Sequence, residues 1–161
     1  MLSKACEYGI RAALFLASQP EGVYVPIHTI GERLGISPHF LTKILQQLTQ
    51  AGLMKSFRGP RGGVALARPA EAIPLEEIVA AIDGRGVFEA CVLGMPGCGE
   101  RKPCPLHDSW GAVRAQIHAL FAGTTLAEVG HRLRTEDLRI TDVSSVVQDA
   151  TRGASPPTRG R

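Results

Sequence analysis

Apolar positions recur at helical spacing along most of this chain, and the period changes once. Between about Ser3 and Ser18, residues Cys6, Ile10, Ala13, Leu14 and Ala17 share one face, which predicts a helix; Glu7 and Arg11 stand four apart on another face. The stretch VPIHTIGERLG predicts a helix of two turns ending at Gly35. In ISPHFLTKILQQLTQAG a third helix is well marked. Ser37 can cap it, Pro38 suits its first turn, and Gly52 can close it. Its apolar stripe is Phe40, Leu41, Ile44, Leu45 and Leu48, and His39, Thr42, Lys43, Gln46 and Gln47 turn the other way. Two short strands, near Leu53–Phe57 and Val64–Ala67, then flank RGPRGG and predict a hairpin with a basic tip. Helical spacing returns from Pro74 to Ile82, carried by Leu75, Ile78, Val79 and Ile82. It returns again from Pro105 to about Ala122, where Leu106, Trp110, Val113, Ile117 and Leu120 repeat in a heptad-like seam. Gly123 ends that helix, and TTLAEVGHRL predicts one more short one. From about Thr135 the periodicity is lost, and ASPPTRGR has the composition of a disordered end.

These elements predict a mainly α fold with a small β-hairpin wing: a winged helix-turn-helix followed by a long dimerisation helix. The expected divisions are 1–83 for the winged unit, 84–104 for a loop, 105–135 for the dimerisation and short helices, and 136–161 for a disordered tail. The second helix of a helix-turn-helix enters the DNA major groove. Ser37, Pro38, His39, Thr42, Lys43, Gln46 and Gln47 are therefore candidate DNA contacts. Arg58, Gly59 and Arg61 on the wing are candidates for phosphate or minor-groove contact. The rival is a small helical domain with a solvated basic hairpin.

Charge supports an anionic partner. The net charge is only +3, but residues 1–70 carry eight Lys/Arg against three Asp/Glu, and residues 71–161 carry ten against twelve. A hydrophobic fraction of 44% suffices for a core, and no run of eighteen apolar residues suggests a membrane span. Glu7 and Arg11 interrupt the N-terminal apolar stretch, so it reads as a helix rather than a signal peptide, and a cytoplasmic location with no membrane partner is expected. The chain carries no nucleotide motif and no nucleophile constellation, so an enzyme is not expected.

One segment does not fit this frame. Cys91, Cys98, Cys104 and His107 fall within seventeen residues, in ACVLGMPGCGERKPCPLHDSW. Thiolates and an imidazole on a loop can hold a soft metal or an iron–sulfur centre. Three Cys and one His also make a zinc set, although zinc sites favour a close C-x2-4-C pair, and here the spacing is C-x6-C-x5-C-P-x-H. A metal-free thiol switch is the third option. Cys6, on the apolar face of the first helix, reads as a small buried hydrophobe. A centre between the DNA reader and the dimer helix is placed to sense, because gaining or losing it changes local charge and loop order.

The assembled pattern resembles the bacterial winged-helix iron–sulfur regulators of the IscR-like and NsrR-like kind, over roughly residues 1–135. The resemblance is carried by LSKACEYGIRAALFLA, by IGERLGISPHFLTKILQQLTQAGLMKSFRGPRGGVALARP, by LEEIVAAIDG and by the three-cysteine loop. It implies a homodimer on a palindromic operator, repression as the usual outcome, and one 2Fe-2S or 4Fe-4S cluster per subunit. Nitric oxide, redox state or iron–sulfur supply would be the signal. It further implies Cys91, Cys98 and Cys104 as ligands, with the fourth supplied either by His107 or, as in NsrR-like members, by Glu7 of the partner subunit. Two departures are visible. Six residues rather than five separate Cys91 from Cys98, and Thr42 stands where IscR-like members have a base-reading glutamate.

Overall fold

The computed structural model describes residues 2–96 and 102–141. In chain order its elements are α1 (Lys4–Ala17), α2 (Ile27–Leu34), α3 (Pro38–Gln50), β1 (Met54–Phe57), β2 (Gly63–Leu66), a 3-10 turn (Ala70–Ala72), α4 (Leu75–Asp83), α5 (Gly86–Glu89), α6 (His107–Gly123) and α7 (Leu126–Thr135).

Helix α1 starts at Ser3, whose side-chain oxygen accepts the Cys6 N–H at 3.1 Å. The same hydroxyl donates to the Asp83 carboxylate, and the Ser3 N–H donates to it at 2.7 Å. The start of α1 is thereby pinned to the end of α4. The second half of α1, from Ala12 to Ala17, is buried all round. Small side chains allow α2, α3, α4 and α7 to pack against this one helix. Leu41, Ile44, Leu45 and Leu48 of α3 complete the core with Ile30, Leu34, Ile78 and Leu126. Each such side chain, fully buried, contributes about 1.5–3 kcal/mol.

A tight turn joins α2 to α3. Gly35 takes the left-handed conformation at φ 65°, and the Ile36 N–H donates to the Gly31 carbonyl at 2.9 Å. A Cβ on Gly31 would lie 2.7 Å from the Ile36 carbonyl oxygen, so the turn requires glycine there. Helix α3 ends as the sequence predicts. Gly52 has φ 72°, its N–H donates to Thr49 O, and the N–H of buried Leu53 donates to Leu48 O, both at 3.0 Å.

Two expectations need correction here. Ser37 occupies the N-cap position, but its side chain makes no capping hydrogen bond; Pro38 alone marks the helix start. Phe40 is not part of the buried stripe. It is 37% exposed and meets the Tyr8 ring edge-on at 5.8 Å, because 100° per residue places it on the flank of the Leu41–Ile44–Leu45–Leu48 face. On the outer side of α1, Glu7 pairs with Lys4 at 2.6 Å, and the Arg11 guanidinium lies over the Tyr8 ring.

The hairpin pairs Met54 with Leu66 and Phe57 with Gly63. Val25, before α2, extends it by a bridge to Val64, with N–H···O distances of 2.9 Å in both directions. The wing is thus seated on the loop that feeds the helix-turn-helix.

Helix α6 runs along one side, and none of its residues is fully buried. The seam read from sequence divides. Ile117 and Phe121 pack with Val79 and Phe88, and Trp110 bonds to Ala90. Leu106, Val113 and Leu120 are left 46%, 45% and 64% exposed. Helix α7 returns to α1, where Arg134 donates to the Ala17 carbonyl at 2.9 Å. Most of the expected disordered tail, residues 142–161, lies outside the described residues. Before it, the Thr141 hydroxyl is buried and donates to the Leu34 carbonyl at 3.2 Å.

Candidate nucleic-acid interface and cysteine loop

The core side of α3 fixes what its other side presents. With Leu41, Ile44, Leu45 and Leu48 inside, Ser37, Pro38, His39, Thr42, Lys43, Gln46 and Gln47 are all exposed. His39, Lys43 and Gln46 form a stripe at spacings of four and three, and Gln50 continues it one step further. Sequence reading missed Gln50 by stopping at Gln47, although helical spacing runs directly to it. Thr42 lies on one edge, and its hydroxyl donates to the Pro38 carbonyl at 2.8 Å. With the hydroxyl turned to the helix backbone, the methyl group is what this side chain has left to offer outward.

Arg58, Gly59 and Arg61 are exposed at the hairpin tip, with Gly59 at φ 130°. Phe57, at the end of β1, is 58% exposed and tilts against Tyr24, over whose ring the Lys55 ammonium also lies. This aromatic pair beside a basic tip was not anticipated. Its signal in the sequence was only the alternation of Lys55 and Phe57 with smaller residues.

Several cations elsewhere are already matched. Arg68 pairs with Glu77, Arg85 with Glu76 and Glu89, and Arg132 with Glu136. The Glu76 carboxyl is held below its ordinary range, first by His118 and then by Arg85. The His118 Nε2 stands 3.1 Å from Glu76 Oε1 without hydrogen-bond alignment. Lys43, Arg58 and Arg61 enter none of the ion pairs among the described residues. Their charge remains available to an external anion, on the helix and the hairpin that a winged helix-turn-helix turns toward DNA.

The cysteine segment is partly described. Cys91 is 7% exposed and stands two residues after the end of α5; Cys104 is half-buried, three residues before α6 begins at His107. The His107 N–H donates to the Cys104 carbonyl at 3.0 Å. Cys98 lies outside the described residues. Among the described residues, no three His, Cys, Asp or Glu side chains converge on a metal position. The donor set nevertheless fits a soft metal or cluster chemically. Two of the three thiols and the imidazole lie on either side of one loop, with Cys104 and His107 at the start of α6. Cys6 is different. It is 0% exposed, burial pushes its thiol up to about 12, and it packs with Val79 and Phe88 as a core residue, as its place in the sequence predicts.

Residues 2–132 match the Rrf2 family, described as iron-dependent transcriptional regulators. The chain belongs to the Rrf2 family. It is 32% identical over 128 residues to the HTH-type transcriptional regulator IscR of Yersinia pseudotuberculosis, covering 80% of this chain and 77% of that one. The structure of IscR from T. potens superposes with a TM-score of 0.69 at 25% identity, covering 86% of this chain and 92% of that chain. CymR, the global cysteine regulator of B. subtilis, superposes with a TM-score of 0.71 at 24% identity, over 81% and 96%, and is a likeness of fold. This Rrf2 chain is accordingly a DNA-binding transcriptional regulator rather than an enzyme, and its winged-helix fold is that of its relatives. Among the described residues no helix is long and apolar enough to cross a membrane.

Proposed function

We propose that this Rrf2-family chain is a homodimeric repressor whose cysteine loop holds an iron–sulfur cluster, 2Fe-2S or 4Fe-4S. Cys91, Cys98, Cys104 and His107 would be its ligands. When bound, such a cluster supplies a centre that reacts with oxidants or nitric oxide, or reports iron–sulfur supply.

The observation that carries the reading is the fastening of the loop to α6. The Trp110 indole N–H donates at 2.9 Å to the carbonyl of Ala90, the residue before Cys91, and Trp110 lies in the first turn of the helix that His107 begins. Cys91 and His107 are thereby held to the same helix end, although 16 positions separate them in the chain. His107 is the favoured fourth ligand because it shares that end with Cys104. Glu7, the alternative from the partner subunit, is engaged by Lys4 in its own chain.

On DNA, α3 would lie in the major groove of a palindromic operator, with the Arg58–Gly59–Arg61 tip on phosphates or in the minor groove. The second subunit would pack along the uncovered Leu106–Val113–Leu120 face. Charge reversal at Lys43, Arg58 and Arg61 together is expected to abolish operator binding; persistent binding would refute this interface.

Anaerobic purification tests the cluster. A coloured protein with matching iron and acid-labile sulfide is the expected result. A colourless protein with stoichiometric zinc would establish a zinc regulator on the same scaffold, and one with neither would leave a thiol-based sensor.

A further inference from the structure

The α5–α6 junction is fastened in an unusual way. Trp110 and Arg114 stand four apart on α6, so their side chains lie one above the other on the same face. Both donate to backbone carbonyls rather than to acidic side chains. Trp110 Nε1 reaches Ala90 O at 2.9 Å, and an Arg114 guanidinium nitrogen reaches Glu89 O at 2.9 Å and Ala90 O at 3.3 Å. Those carbonyls are the C-terminal end of the one-turn helix α5, whose Phe88 is buried against Cys6 and Val79. A single turn has too few internal hydrogen bonds to hold its own end, so its last carbonyls need external donors.

We infer that Trp110 and Arg114 are positioning residues for Cys91. They hold the backbone immediately before that cysteine onto α6, and so set where its sulfur stands relative to Cys104 and His107. The role rests on the cluster reading for its purpose but not for its existence, since the bonds are made by the polypeptide alone. Two features suit the task. A neutral donor and a charged one converge on the same carbonyl, so losing either leaves a partial tether. The carbonyls they hold belong to Glu89 and Ala90, so the tether ends at the residue bonded directly to Cys91.

The consequence can be measured without any cluster. In the full-length apoprotein, iodoacetamide modification of each cysteine can be followed by peptide mass spectrometry at about pH 9.5, above the ordinary thiol range, so that removing the Arg114 charge does not mask the effect. Cys91 is expected to react at least fivefold faster in Trp110→Phe, which removes only the indole donor, and in Arg114→Met. Cys6, fully enclosed in the core, should stay unmodified and serves as the internal reporter of unfolding. Arg114→Lys should restore protection in part, because an ammonium keeps a charged donor but lacks the fixed planar geometry of the guanidinium. Unchanged Cys91 rates in both variants would overturn the inference. So would a rise at Cys91 matched by an equal rise at Cys6, because the change would then be global opening. A native protein lacking iron and sulfide while Trp110→Phe still unmasks Cys91 would remove the cluster reading and leave the tether standing.

Discussion

Gly63 and Val25 touch so closely that no side chain fits between them: a Cβ on Gly63 would stand 2.3 Å from the Val25 carbonyl oxygen. That contact lies beside the paired Val25–Val64 bridge and seats the wing against the loop leading into α2. Gly63→Ala must push backbone away from backbone. It is expected to destabilise the protein by about 1–3 kcal/mol, the usual cost of overpacking, as read by urea denaturation. Because the wing moves, operator affinity at a fixed folded fraction should also fall. Retained affinity would separate the wing from DNA contact.

Thr42 gives a test at single-atom resolution. Its hydroxyl is engaged by Pro38 O. It is therefore expected to recognise DNA through its methyl group, against a thymine C5-methyl. Thr42→Val should keep operator affinity, and Thr42→Ser should weaken it several-fold. Replacing the contacted thymine by deoxyuridine should weaken wild type but not Thr42→Ser. Affinity lost in Thr42→Val and kept in Thr42→Ser would mean that the hydroxyl reads the base instead.

The uncovered face of α6 tests dimerisation. Leu120, at 64% exposure, contributes nothing to the fold of its own chain that a charge would disturb. Leu120→Glu is expected to shift sedimentation from dimer to monomer with the helical circular dichroism signal unchanged. A dimer that survives this change pairs through another surface.

Cys6 imposes a pH dependence. Its folded-state thiol is pushed up to about 12 by burial, with the Asp83 carboxylate adding to the effect. The unfolded thiol ionises nearer its usual value, so the unfolded state loses a proton first as pH rises. Stability is therefore complete below about pH 9 and declines between about 9 and 12, by up to ~1.4 kcal/mol per unit. Cys6→Ala should start from lower stability but lose less of it over that range. An identical alkaline slope in both proteins would exclude Cys6 as the source.

The fourth ligand is decided by comparing His107→Ala with Glu7→Ala. The first is expected to alter the cluster's absorption spectrum and raise its rate of loss, and the second to leave both unchanged. The reverse outcome would assign the position to the partner subunit's Glu7.

What the sequence made legible follows from which forces act locally. The ends of α3 could be read at Pro38 and Gly52 because a ring-locked φ and a left-handed turn are properties of single residues. The hairpin could be read because its glycines and alternation lie within a dozen positions. By contrast, α5 is not legible in the sequence. One turn has no periodicity, and α5 exists because Phe88 finds a pocket and α6 supplies donors from twenty residues or more away. A stripe of five that includes Phe40 looks continuous in one dimension, and only the angle between Phe40 and Leu41 separates flank from core. The heptad seam of α6 was visible as a pattern. Its division into a face for its own chain and an uncovered face depends on where α4 and α5 lie. For the cysteine loop, spacing alone does not say which donors meet; the Trp110–Ala90 bond holds the residue before Cys91 to the helix that begins at His107. Cys98 lies outside the described residues.

The closure of α7 on α1 bears on how this chain must be made. Ala17 is translated early, yet two of its neighbours, Gly130, where an added Cβ would stand only 3.1 Å from the Ala17 Cβ, and the donor Arg134, are translated more than a hundred residues later. During synthesis the apolar C-terminal half of α1 has to wait for its cover. Contacts so distant in sequence form slowly and expose sticky surface meanwhile. A ribosome stalled before α7, or a fragment ending at Gly123, would present a winged helix with its first helix open along one side. Such a product belongs to chaperones and proteases before it belongs to DNA.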